Sequence, residues 1–148
     1  MDVASGVFAV ISLSLQLAET VKKVDNFLRD VQNAPDELKR LVDTLDQFDL
    51  ILVQVKTYVE QQSRIDGLPG CIHVIERTLH SCESNVRKLD SYVNVFQTLF
   101  NGKGQRRKIW ASIKTVVKKE EIVQMRGLIL QDISSLQAAM LINISHLQ

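Results

Sequence analysis

Apolar residues recur at alternating steps of three and four along most of the chain, a spacing that keeps one stripe of a helix against its neighbours. Two rows are regular, in residues 38–59 and 72–96. Residues 7–31 continue the rhythm with Ser14 at the missing step, and residues 122–147 show it with looser spacing. The pattern therefore predicts four long amphipathic helices.

Helix-breaking residues separate these rows. Pro35, followed by Asp36 and Glu37, is typical of a helix start, and glycine-rich turns occur at 64–70 and 101–105. We predict helices at about 2–31, 35–63, 70–99, 107–117 and 119–146, of which the fourth is short. Short loops make sequential neighbours antiparallel, so the expected fold is an all-α, up-down bundle in one domain spanning 1–148. A single extended coiled coil is the alternative, and the prolines and glycines between the rows argue against it.

The amino-acid composition limits the classes of function that this chain can have. The 148 residues include two prolines, six glycines and two cysteines. Two cysteines do not make a disulfide framework, which favours a reducing, cytoplasmic location. Carboxylates such as Asp25 and Asp46 are spaced as solvated helix faces, and no arrangement of side chains typical of catalysis is evident. We therefore predict a protein that is not an enzyme and needs no cofactor.

Two motifs resemble chemical sites but lack the required geometry. Cys71, His73, His80 and Cys82 would lie on two faces of one helix, with cysteines about 16 Å and histidines about 10 Å apart, too far to share a zinc ion. The stretch NGKGQRRK, residues 101–108, has the composition of a phosphate-binding loop. It lacks both the spacing of that loop and the strand before it.

The first helix is unusual because it carries no charge between Val3 and Ala18. A signal peptide would need a basic start and a cleavage site, and a membrane span about 20 apolar residues, which this run does not supply. Val7, Val10, Leu17 and Val21 fall on the bundle side, whereas Phe8, Ile11 and Leu15 cluster about a quarter turn away. A peripheral helix needs only one apolar face. The second apolar face has three explanations. The helix is deeply buried in the bundle, or it contacts another protein or a second copy of the chain, or it detaches from the bundle and inserts into lipid.

The lipid interpretation defines a set of candidate membrane-insertion residues in the first helix. They are Val7, Phe8, Val10, Ile11, Leu13, Leu15 and Leu17.

A basic segment, residues 101–119, contains seven lysines and arginines and no acidic residue, although the chain as a whole has a net charge of only +1. It is interpreted either as a solvated loop and short helix or as a surface for an anionic membrane. Nucleic acid is not an expected partner, because one tryptophan offers no stacking series. The candidate anionic-lipid contacts are Lys103, Arg106, Arg107, Lys108, Trp110, Lys114, Lys118 and Lys119.

Residues 1–55 and two junctions, NAPDEL at 33–38 and KIWASIK with KKEEI at 108–122, are similar to the HeLo-like N-terminal domains of fungal STAND and NOD-like receptor proteins. The resemblance covers essentially the whole chain and extends to the related HeLo and mixed-lineage-kinase-like cell-death bundles.

This resemblance implies a cytoplasmic signalling or execution domain fused upstream of a receptor domain. Its activation would drive homo-oligomerisation, movement to membrane lipid and regulated cell death. The alternative is a helical adaptor that binds another protein, or itself, without membrane activity.

Overall fold

The computed structural model describes residues 3–65, 71–101 and 110–147, with side chains described for 6–62, 72–100 and 110–141. The elements are α1 (Val3–Arg29), α2 (Asp36–Ile65), α3 (Cys71–Asn101), α4 (Trp110–Ile113) and α5 (Lys119–Leu147). Four long helices and one short helix pack together. The predicted all-α bundle is confirmed.

The turn between α1 and α2 is built from residues suited to it. Asn33 has a φ of 59°, a left-handed conformation that asparagine tolerates better than most residues. The carbonyl of Pro35 then accepts hydrogen bonds from the backbone N–H groups of Leu38 and Lys39, which starts α2. The acidic residues of the first turn face the positive end of the helix dipole. The residues that end α1 and those that start α2 thus lie within one short turn.

The short helix is shorter than predicted. Helix was expected at 107–117, but α4 ends at Ile113 and the chain turns from Lys114 to Val117; residues 107–109 lie outside the described residues. The Thr115 hydroxyl donates to the Ser112 carbonyl, and the next two residues, Val116 and Val117, are β-branched. Such residues stiffen the chain or bond the backbone locally, so they weaken helix continuation.

The order of helices around the bundle is α1, α2, α5, α3. The pairs that pack along their lengths are α1 with α2, α2 with α5, α1 with α3, and α3 with α5. Consecutive α2 and α3 therefore lie diagonally opposite each other, as do α1 and α5. Consecutive helices still run antiparallel, as predicted, and α1 and α5 occupy the two positions between α2 and α3.

Side-chain pairs give the helix directions. Gly6 lies near Ile72, and Lys23 bonds Asp90, so α1 and α3 run parallel. Asn85 bonds Asp132 and Tyr92 bonds Glu121, so α3 and α5 run antiparallel. The bundle thus consists of two antiparallel hairpins, α1–α2 and α3–α5, that pack against each other.

One apolar core runs between the four long helices. Most of the buried side chains come from the rows predicted in the sequence, and Cys82 belongs to them with no exposed surface. Phe27 of α1 stacks on Phe96 of α3 with ring centroids 6.0 Å apart. The three-and-four spacing therefore located the core correctly. The largest side chains with almost no exposure are Phe48, Leu38, Leu45, Leu52, Ile75, Leu79, Ile113, Ile129 and Leu136.

Candidate functional site

The membrane-insertion candidates of α1 separate onto two faces. Four of them point into the core and are at most 9% exposed: Val7, Val10, Leu13 and Leu17. Phe8 is 77% exposed and Leu15 is 45% exposed, while Ile11 between them is partly buried against the core. We call Phe8, Ile11 and Leu15 the apolar edge. The edge is where helix geometry placed it, a quarter turn from the core side.

The surroundings of the apolar edge are uncharged on its own helix, since α1 has no ionisable residue before Glu19. The neighbouring exposed positions Ser12 and Gln16 are polar and neutral. A surface of this kind loses little hydration energy when it is covered, because no charge has to leave water. It is suited to contact with an apolar partner surface or the interfacial region of a lipid layer.

The neighbouring helix α2 also carries exposed apolar side chains, which sequence reasoning missed. Asp25 and Asp46 interact across the α1–α2 interface and set the register of the two antiparallel helices. Val53 is two turns along α2 from Asp46, and Ala18 is two turns along α1 from Asp25. Because the two helices are antiparallel, Val53 lies level with Ala18. Val53 is 50% exposed and Leu50, one turn nearer the pair, is 62% exposed. Their exposure could have been predicted from the sequence, because both residues lie outside the regular apolar row of α2.

Half of the basic segment can be placed in the structure. Lys103, Arg106, Arg107 and Lys108 lie outside the described residues. Lys114, Lys118 and Lys119 are exposed, and Trp110 is half-buried against the core. The Trp110 backbone N–H donates to the Gln32 carbonyl at 3.0 Å, which fastens the start of α4 to the α1–α2 turn.

Among the described residues, the structure does not bring the two groups of lipid-contact candidates together. Trp110, where the described part of the basic segment resumes, lies beside Gln32, at the end of the bundle where α1 finishes. The apolar edge lies toward the start of α1, and Phe8 is 21 residues before Arg29, a separation of about 30 Å along the helix. A flat membrane can meet both only along the side of the bundle.

A cluster of charged groups joins α1 to α2 near that same end. Arg29 Nη2 lies 3.1 Å from Asp25 Oδ1 and 2.8 Å from Asp46 Oδ2. Asp25 is only 7% exposed, so its interpretation as part of a solvated face was wrong. Burial, together with a hydrogen bond to Asp46 and the charge of Asp46, raises the pKa of Asp25 to about 6. The hydrogen bond from Asp25 and the nearby guanidinium lower the pKa of Asp46.

A second buried polar cluster joins α3 to α5. Asn85 Nδ2 donates to Asp132 Oδ2 at 2.8 Å, and the thiol of Cys82 also hydrogen-bonds this carboxylate. Burial, followed by the charge of Asp132, raises the pKa of Cys82 to about 12. Burial also raises the pKa of Asp132. A thiol held protonated in this way is a poor nucleophile.

Neither a cluster of metal ligands nor a ligand-sized cavity beneath α4 is found in the part of the chain that the structure describes. No three histidine, cysteine, aspartate or glutamate side chains converge there as metal ligands. An apolar cavity of about 30 Å³ lies beneath α4, lined by Leu28, Phe96, Ile113 and Met125 among others. That volume is about the share of one water molecule in the liquid, far below the size of a typical ligand pocket.

Over the described ranges, no helix has the combination of length and hydropathy that crossing a bilayer requires. Comparison with known proteins adds no relative: no protein-family model, curated protein or solved structure matches the chain significantly. The fold defines an all-α four-helix bundle with a short fifth helix. The resemblance to HeLo-like domains stays a prediction.

Proposed function

We propose that this chain is a signalling domain of the HeLo-like kind, one that self-associates and contacts anionic membrane through α1 to promote regulated cell death. The observation that supports this proposal is the apolar edge on a helix segment without charge. Phe8 keeps 77% of its surface exposed, although α1 already has a complete core face. A helix with a second apolar face has more apolar surface than its own fold covers.

The packing of α1 in the folded bundle determines which of its residues can contact lipid. Val7, Val10, Leu13 and Leu17 each contribute about 1.5–3 kcal/mol by burial, or about 6–12 kcal/mol together. This is comparable to the whole stability of an ordinary domain. In the resting bundle, therefore, membrane contact uses the apolar edge alone. Insertion of the core face requires a trigger that supplies this free energy, such as oligomerisation under a receptor.

Vesicle binding by the intact chain tests the membrane proposal. We expect the wild type to co-sediment with phosphatidylcholine vesicles containing phosphatidylserine and to bind them about tenfold better than Phe8→Glu. Leu141→Glu is the matched control, because Leu141 is 63% exposed on α5, the helix diagonal to α1. Equal binding by wild type and Phe8→Glu would exclude the apolar edge as the membrane contact. Point variants are preferable to deletion of residues 1–18, which would remove four core side chains.

A protein-binding adaptor is the second candidate, and the distance between the two lipid-contact candidates favours it. An apolar edge that lies about 20–30 Å from the described part of the basic segment fits two separate partner surfaces as readily as one membrane. Under this function the wild type binds no vesicles and forms a dimer that Phe8→Glu dissociates. Sedimentation velocity without lipid measures that difference, and a monomer at every concentration would exclude self-association through the edge.

A further inference from the structure

The α1–α2 interface contains two carboxylates that share one guanidinium nitrogen. Arg29 Nη2 donates to Asp25 Oδ1 at 3.1 Å and to Asp46 Oδ1 and Oδ2 at 2.9 and 2.8 Å. With both carboxylates ionised, this trio has a net charge of −1, and Asp25 is only 7% exposed. Burying an excess charge is costly, whereas one added proton makes the trio neutral.

The proton has a defined place in this geometry. The carboxyl groups of Asp25 and Asp46 meet at the same Arg29 nitrogen, 3.1 and 2.8 Å from it, and a hydrogen bond between two carboxyl groups forms only when one of them carries a proton. Asp25 is the buried member and Asp46 is about half exposed, so the proton resides on Asp25 and the charge on Asp46. Arg29 then pairs with Asp46 as an ordinary ion pair.

We propose that Asp25, Asp46 and Arg29 form a proton-dependent clasp, in which protonated Asp25 donates to Asp46 and ties α1 to α2 more tightly than the fully ionised trio does. The clasp makes the attachment of α1 sensitive to mild acidification, whatever partner the apolar edge binds. It therefore goes beyond the proposed function and does not depend on it.

The neighbouring charged groups do not change the assignment of the proton to Asp25. On α2, Asp43 and Asp49 lie about one turn before and after Asp46, and neither is among the groups that shift the pKa of Asp25 or Asp46. On α1, Lys22 is exposed one turn before Asp25. On α3, the other helix packed against α1, Asp90 is paired with Lys23, 2.7 Å away.

The direction of the pH effect follows from linkage. The pKa of Asp25 is raised from 3.8 to about 6, so the folded chain binds a proton between these values that the unfolded chain lacks. Stability from Asp25 therefore increases as the pH falls through about 6 and is complete below 3.8. The pKa of Asp46 is lowered, so its contribution is present above 3.8 and is lost only in stronger acid.

Urea unfolding of the full chain at about pH 7.5 and about pH 5 tests the clasp. We expect acidification to raise the folded-to-unfolded ratio of the wild type by up to about tenfold more than that of Asp25→Asn, whose amide is neutral at both pH values. Asp43→Asn is the matched control, because it removes an exposed carboxylate one turn from Asp46, and it should follow the wild type. The same pH response in wild type and Asp25→Asn would overturn the proposal.

A second measurement keeps the proposal testable if Asp25→Asn folds poorly. The side-chain carboxyl carbon of Asp25 in the ¹³C-labelled wild type reports its protonation directly by NMR. A midpoint near 6 supports the clasp, and a midpoint near 4 overturns it. Asp132 is also buried and has a raised pKa, so the spectrum of Asp132→Asn serves to distinguish its titration from that of Asp25.

Discussion

Ser14 is a buried hydroxyl without a hydrogen-bond partner. The side chain is 1% exposed on the core face of α1, and its Oγ bonds no other group. Sequence reasoning recognised Ser14 as the missing step of an apolar row but could not determine whether its oxygen finds a partner. That depends on the side chains of other helices, which spacing along one helix does not reveal.

We expect Ser14→Ala to raise the free energy of unfolding by about 1 kcal/mol. Alanine removes an unsatisfied buried polar atom and has the higher helix propensity. Ser12→Ala, at an exposed position of the same helix, should raise the free energy of unfolding by less, because only the difference in helix propensity contributes there. Urea unfolding of both variants measures the contrast, and equal gains would mean that the Ser14 hydroxyl carries no burial penalty.

The polar residues show the same limit of sequence reasoning. Asp25 and Asp46 have the spacing of exposed helix positions, yet one is buried and the other half-exposed. Their pKa values move in opposite directions because burial and the neighbouring Asp46 raise the pKa of Asp25, whereas the hydrogen bond from Asp25 and the guanidinium of Arg29 lower the pKa of Asp46. Periodicity identifies which side of a helix a residue occupies, whereas the neighbouring helix determines its chemistry.

At the level of elements, helix positions were largely predictable. The boundaries of α1, α2, α3 and α5 fall within two residues of the predicted ones, because Pro35 and the glycine-rich turns mark them. The exception is α4, which ends four residues early. Its length is limited by local bonds of Ser112 and Thr115, and these are weak signals in a sequence.

Although α4 has only four residues, we expect Ile113→Ala to lower the free energy of unfolding by about 2–4 kcal/mol. Ile113 has no exposed surface and closes the core at the end of the bundle. Lys114→Ala, at the adjacent exposed position, should change stability by less than about 0.5 kcal/mol. Thermal unfolding compares them; a small loss for Ile113→Ala would mean that α4 is not part of the cooperative core.

At the scale of the whole molecule, the order of the helices around the bundle is the feature that sequence reasoning left undetermined. Short connections indicate antiparallel direction but do not determine which pairs lie diagonally. That choice depends on which apolar stripes fit each other, as Phe27 of α1 fits Phe96 of α3. The placement of the apolar edge and basic segment at opposite ends follows from the same packing.

A double-mutant cycle on Lys23 and Asp90 tests the α1–α3 neighbourhood. Lys23 Nζ lies 2.7 Å from Asp90 Oδ1, and both side chains are partly exposed, so we expect a coupling of about 0.5 kcal/mol. Lys22 with Asp90 is the control pair and should show none. Zero coupling for both pairs would contradict the placement of α1 beside α3.

The two-hairpin construction has a consequence for synthesis on the ribosome. The contacts between α1 and α2 are complete when residue 65 has been made, but the other half of the core belongs to α3 and α5. The first hairpin therefore emerges with the apolar stripes of both its helices open to the solvent until the second hairpin follows. During that interval the nascent chain is a natural client for a chaperone that binds exposed apolar helices.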